Sequence, residues 1–144
     1  MSSPRWTTDV GILGLGLMGG SLARELAACR VRVYGHDADP EAVRRAARAE
    51  VLHTALPPTL EGLENVGLLV AAVPVDRAAE AIAAALPRLR EDCVITDLGS
   101  TKQSIQQAAE RLGIADRFVG SHPLTGGHRS GWDASHRDLY AWQR

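Results

Sequence analysis

Gly14, Gly16 and Gly19 form the pattern G-x-G-x-x-G, whose chemistry is the binding of a pyrophosphate. The first glycine permits a sharp turn, and the second leaves room for phosphate against the backbone. The third lets a helix lie close on a strand while its first amides face the anion. Leu17 and Met18 fall in that same first helical turn and are counted with the cofactor-binding residues. Asp37 follows at about twenty residues, the distance at which a carboxylate accepts hydrogen bonds from the adenine ribose hydroxyls and repels a 2′-phosphate. This favours NAD over NADP. Helix capping is the other reading of Asp37, although Asp39, directly before Pro40, is better placed for that task.

Further along, Val73 and Pro74 lie in AVPV (72–75), where small apolar residues either form a shelf beside the cofactor or simply end a strand. DLGSTK (97–102) opens a helix, so Ser100 or Thr101 is a natural N-cap and the other hydroxyl is free for a crevice. Lys102 in that first turn reads as a solvated surface lysine. SHPLTGGHRSG (121–131) ends a strand in His122-Pro123 and continues as a glycine-rich loop. From its position, His122 is either structural or a general base that takes a proton from a substrate hydroxyl as hydride leaves the same carbon. His36, His53 and His136 have no such context and read as structural or exposed.

These residues need a scaffold that gathers strand ends. Residues 9–14 read as a short apolar strand, followed by a helix in which Leu15, Met18, Leu22 and Leu26 recur at helical spacing. VRVYGHD (31–37) reads as a second strand, and Pro40 to Ala49 as a helix capped by Asp39. The near-continuous apolar run Val66 to Val73 is a strand buried on both faces. Asp76 is expected to cap the alanine-rich helix that follows to Leu86. CVITD (93–97), Lys102 to Leu112 and RFVGS (117–121) complete the alternation, while Pro57-Pro58 marks a loop. The expected fold is therefore α/β: a single-domain, Rossmann-type doubly wound parallel sheet with its ligand crevice at the carboxyl ends of the strands.

Composition agrees with that class. The chain has 144 residues, 45% of them hydrophobic and 23% charged, with a formal net charge of -1. That balance favours a small-molecule partner over nucleic acid or a membrane surface. Cys29 and Cys93 form no metal or disulfide spacing and both read as core residues. The longest apolar stretch, Val66 to Val75, is too short to span a bilayer, so a cytoplasmic location is expected.

Taken together, GLGLMGGSLA (14–23), AVPV, DLGSTK and GSHPLTGGHRSG (120–131) resemble the prephenate dehydrogenase family. Its members oxidatively decarboxylate prephenate or arogenate in tyrosine biosynthesis. The resemblance implies NAD as cofactor and prephenate as substrate, oxidised to 4-hydroxyphenylpyruvate. It implies His122 as the catalytic histidine that hydrogen-bonds the ring hydroxyl, with Ser100 orienting that histidine and the substrate. His128 stands where many relatives carry an acidic or other polar residue. The family also has a C-terminal helical domain that supplies dimer contacts and an arginine for the substrate carboxylate. This chain ends at Arg144, so the resemblance implies a missing helical domain and a homodimer only for the longer enzyme. Residues 1–144 are read as the NAD-binding domain, with 9–121 as core and 122–144 as active-site loop and start of a truncated continuation. Such a chain is read as the cofactor domain of a longer enzyme or as a naturally shortened relative, and is expected to bind NAD better than it turns over. Two rival readings are a β-hydroxyacid dehydrogenase, disfavoured by His122 and Gly99-Ser100, and a non-catalytic NAD-binding module.

Overall fold

In the computed structural model of the chain, which describes residues 8–99, 102–121, 131–137 and 139, six strands form one sheet in the order β3-β2-β1-β4-β5-β6. They are β1 (Val10–Leu13), β2 (Val33–His36), β3 (Thr54–Ala55), β4 (Leu68–Ala71), β5 (Val94–Asp97) and β6 (Phe118–Gly120). Every neighbouring pair is parallel. Four helices run between them: α1 (Leu17–Ala28), α2 (Pro40–Arg48), α3 (Val75–Ala85) and α4 (Gln103–Arg111).

The strand order reverses between β1 and β4, so right-handed crossovers put α1 and α2 on one face and α3 and α4 on the other. The two apolar cores follow that division. Val10, Ile12, Val33 and Val70 pack with Ala23, Ala42 and Ala46 on one side. Leu69, Ile95 and Phe118 pack with Ala78, Ile82, Ile105 and Ala108 on the other. β1 is buried along its whole length, as a central parallel strand must be. The register pairs Leu13 with both His36 and Ala71, and Ala71 with Asp97. The loops after β1, β2, β4 and β5 therefore open at one level.

The expected alternation is present, with shorter strands and four local corrections. Lys102, rather than Ser100 or Thr101, holds the cap position of α4, without a side-chain hydrogen bond. Thr54–Ala55 adds a strand that the loop reading of this stretch did not contain; it pairs with Tyr34 and Gly35. Asp76 does not cap α3. The cap position is Pro74, without a side-chain hydrogen bond, and Asp76 lies in the first turn, where its charge suits the helix dipole. Cys93 is buried but Cys29, at the end of α1, is exposed. Burial pushes the Cys93 thiol above its ordinary pKa, which keeps it an inert core residue. Among the described residues, no helix is long and apolar enough to cross a membrane.

Candidate nucleotide site

The turn out of β1 is built by glycine for two separate physical reasons. Gly14 has φ +98°, and a Cβ there would stand 2.6 Å from the Ala72 carbonyl oxygen. Gly19, in the first turn of α1, lies so close to β1 that a Cβ would fall 1.8 Å from the Gly14 carbonyl oxygen. Gly16 differs, because a Cβ there would meet only Gly131 backbone atoms at 3.7 and 3.9 Å. The fold does not require glycine at Gly16; the missing side chain keeps open the space above the loop. α1 begins at Leu17 with no side-chain cap at Gly16 and no acidic residue in its first turn. The positive end of its dipole is thus left for an anion.

Gly14, Gly16, Asp37, Val73 and Pro74 line a single cavity of about 850 Å³, within the size range of cofactor sites. Leu17 and Met18, half-buried, and Gly19, buried, follow Gly16 in α1 and are not among the lining residues. Asp37 is held in place by backbone. Its Oδ2 accepts from the Leu15 N–H at 2.7 Å and its Oδ1 from the Asp39 N–H at 2.8 Å. An ionised carboxylate has about four lone-pair directions, so each oxygen keeps a direction for a further donor. Asp39 is the cap of α2, accepting from the Glu41 N–H at 3.0 Å.

Several cavity residues had no signal in the residue patterns above. Arg77, Glu80, Ala81 and Ala84 of α3 form one wall, at i, i+3, i+4 and i+7, a face that binary patterning assigns to solvent. Pro58 and Leu60 line it from the segment after β3. His36, read as structural or exposed, is half-buried at the cavity, with its Nδ1 3.3 Å from the Leu56 carbonyl oxygen. Gly131 lies opposite Gly16.

Ser100, Thr101, His122 and His128 lie outside the described residues. The described neighbours of the first three, Gly99, Lys102 and Ser121, are held by hydrogen bonds. Lys102 is not the solvated lysine its position suggested. Its Nζ donates to both oxygens of the fully buried Asp97 at 2.8 and 2.9 Å, and the Gly99 N–H donates to Asp97 Oδ2 at 3.0 Å. A carboxylate at the end of a buried strand requires such partners, and that requirement was the available signal. Ser121 Oγ donates to the Asp97 carbonyl at 2.6 Å, tying the residue before His122 to the end of β5.

Residues 131–137 dock on α1 and α2. Trp132 is buried against Gly20, and the Arg24 guanidinium carbon lies 4.0 Å from the Trp132 ring centroid, a cation–π contact. Arg24 Nε donates to Ser135 Oγ at 2.9 Å, and the His136 N–H donates to Ser21 Oγ at 2.9 Å. Burial lowers the Arg24 pKa, a shift that the Asp133 charge opposes. Among the described residues no group of His, Cys, Asp and Glu has the arrangement of a metal site.

Comparison with known proteins agrees with this geometry. The family model for the prephenate dehydrogenase nucleotide-binding domain matches residues 22–144. Prephenate dehydrogenase of Lactococcus lactis is 30% identical over 90% of this chain, and cyclohexadienyl dehydrogenase of Zymomonas mobilis is 36% identical over 91%. The chain spans 37% and 45% of the length of these two relatives. The solved structure of A. aeolicus prephenate dehydrogenase, in complex with hydroxyphenyl propionate and NAD+, superposes with a TM-score of 0.86 at 28% identity. That match covers 96% of this chain and 49% of the other. A nucleotide-binding fold with its glycine turn intact, joined to these matches, assigns the chain to the prephenate dehydrogenase family.

Proposed function

We propose that the chain binds NAD in the cavity at the strand ends and forms the cofactor half of a prephenate or arogenate dehydrogenase. One observation carries the reading: the uncapped start of α1, the open space at Gly16 and the Asp37 carboxylate all face one cavity. The residues fit the group. Gly14, Gly16 and the first turn of α1, Leu17 to Gly19, would receive the pyrophosphate on backbone amides. Asp37 would accept from the adenine ribose hydroxyls, with Val73 and Pro74 forming an apolar shelf.

Bound NAD supplies the hydride acceptor for oxidation at the hydroxyl-bearing ring carbon, a step that loss of carbon dioxide makes irreversible. In this proposal His122 takes the hydroxyl proton and Ser100 orients that histidine. The support is the family membership and the hydrogen bonds that hold their chain neighbours, Gly99 and Ser121, to Asp97. Prephenate, arogenate or both are the proposed substrates.

Titration calorimetry with NAD tests the cofactor reading. Asp37→Ala is expected to weaken NAD binding at least tenfold, since a hydrogen bond to a charged group contributes about 1.5–3 kcal/mol, and to relax discrimination against NADP. Unchanged affinity and selectivity would remove Asp37 from the site. Turnover is read as absorbance of the reduced cofactor with prephenate, in the chain extended to its relatives' length. There His122→Ala is expected to lower kcat about 10²-fold or more with NAD affinity intact. Wild-type turnover in that variant would discard the general-base role.

A further inference from the structure

Beside the main cavity lies a smaller one, of about 200 Å³, lined by Asp39, Glu41, Ala42, Arg45, Gly131, Trp132 and Asp133. The two share Gly131. Asp37 directly follows β2, and Asp39 caps α2 two residues later. A phosphate on the 2′-hydroxyl of a ribose held by Asp37 would therefore point toward the start of α2 and this smaller cavity. Arg45 is the cation among its lining residues, and a guanidinium is the group that pairs a phosphate. Arg77 lines the main cavity too, but from α3, on the other face of the sheet.

Arg45 is already engaged from two sides. Its Nε lies 3.4 Å from Glu41 Oε1, one turn away on the same helix, and its Nη1 donates to Asp133 Oδ2. Asp39, which caps α2, adds a third carboxylate to the lining of this cavity. Asp133 is remote in sequence and is brought here by its neighbours. Trp132 and Ser135 are buried, and Trp132, under Arg24, fixes the backbone on either side of the aspartate.

We infer that Glu41 and Asp133 set the preference for NAD over NADP by occupying Arg45 and holding a negative field where a 2′-phosphate would enter. The inference rests on the cavity being the NAD site, and it adds to Asp37 a second selectivity element, delivered by the segment that returns from the glycine-rich loop. Both pairs are exposed, so each has a modest effect that salt weakens.

The test is the ratio of NAD to NADP dissociation constants, measured by calorimetry on the chain at low and high salt. Glu41→Gln with Asp133→Asn is expected to raise relative NADP affinity about fivefold or more at low salt, with NAD affinity unchanged. Adding Arg45→Gln is expected to abolish the gain. Asp37→Ala serves as the reference that shifts the ratio through the ribose. A wild-type ratio in the double variant, with Asp37→Ala still effective, overturns this inference alone. Binding of neither nucleotide by the unsubstituted chain overturns the NAD reading and this inference with it.

Discussion

Gly19→Ala is expected to abolish nucleotide binding and lower the melting temperature by several degrees, whereas Gly16→Ala is expected to lose affinity with little change in melting. The contrast follows from what each new Cβ meets. At Gly19 it would stand 1.8 Å from the Gly14 carbonyl oxygen and 2.8 Å from Ala72 Cβ. The first obstacle is backbone, which cannot rotate aside, so α1 must lift off β1. Overpacking a core with a flexible neighbour costs about 1–3 kcal/mol; displacing a helix from the central strand costs at least that. For a domain of this size, each kcal/mol shifts the melting temperature by about 2–8 °C. Lifting α1 also moves its amides away from the turn that aims them. At Gly16 the nearest atoms are 3.7 Å away, an ordinary contact, so an alanine there obstructs only an incoming pyrophosphate. Thermal denaturation and NAD calorimetry on both variants check this. Equal melting losses would show that Gly16 is structural too, and undiminished affinity in Gly16→Ala would remove the phosphate from this loop.

How far the site was legible depended on whether its determinants are local. The glycine turn, the Asp39 cap of α2 and the apolar strands are written in adjacent residues, because turn geometry, capping and two-sided burial each act over a few positions. Thr54–Ala55 is too short to carry a period, and it is a strand only because β2 offers Tyr34 and Gly35 as partners. The α3 wall was hidden for a different reason. Ala81 and Ala84 on a surface stripe look like helix filler, and only the position of β4 beside β1 turns that stripe toward Asp37. The docking of Trp132 under Arg24 and of Asp133 on Arg45 joins residues about a hundred positions apart. No window along the sequence contains both partners. Lys102 misled because position in a first turn favours solvent, while the demand of Asp97 for a counter-charge arises only once β5 is buried.

That demand yields the second large effect. Lys102→Met is expected to lower the free energy of unfolding by about 3 kcal/mol, the lower end of the cost of leaving a buried charge without its partner. Asp97 is 1% exposed at its side chain and Lys102 29%, so the methionine relieves little desolvation on its own side. The carboxylate retains the Gly99 N–H at 3.0 Å and loses both contacts to Nζ. Denaturant titration should show a lower midpoint with an unchanged slope, since the surface exposed on unfolding is the same. Lys102→Arg should restore much of the loss. Asp97→Asn combined with Lys102→Met should be less destabilised than Lys102→Met alone, because the pair is coupled and the double change removes the orphaned charge. The consequences reach the proposed chemistry through the backbone. The carbonyl of Asp97 accepts from Ser121 Oγ, so one residue anchors the flank of Ser100 by its side chain and the flank of His122 by its main chain. A wild-type midpoint in Lys102→Met would mean that Asp97 is compensated by other donors or water. Gly99 and Lys102 would then owe their placement to packing rather than to charge.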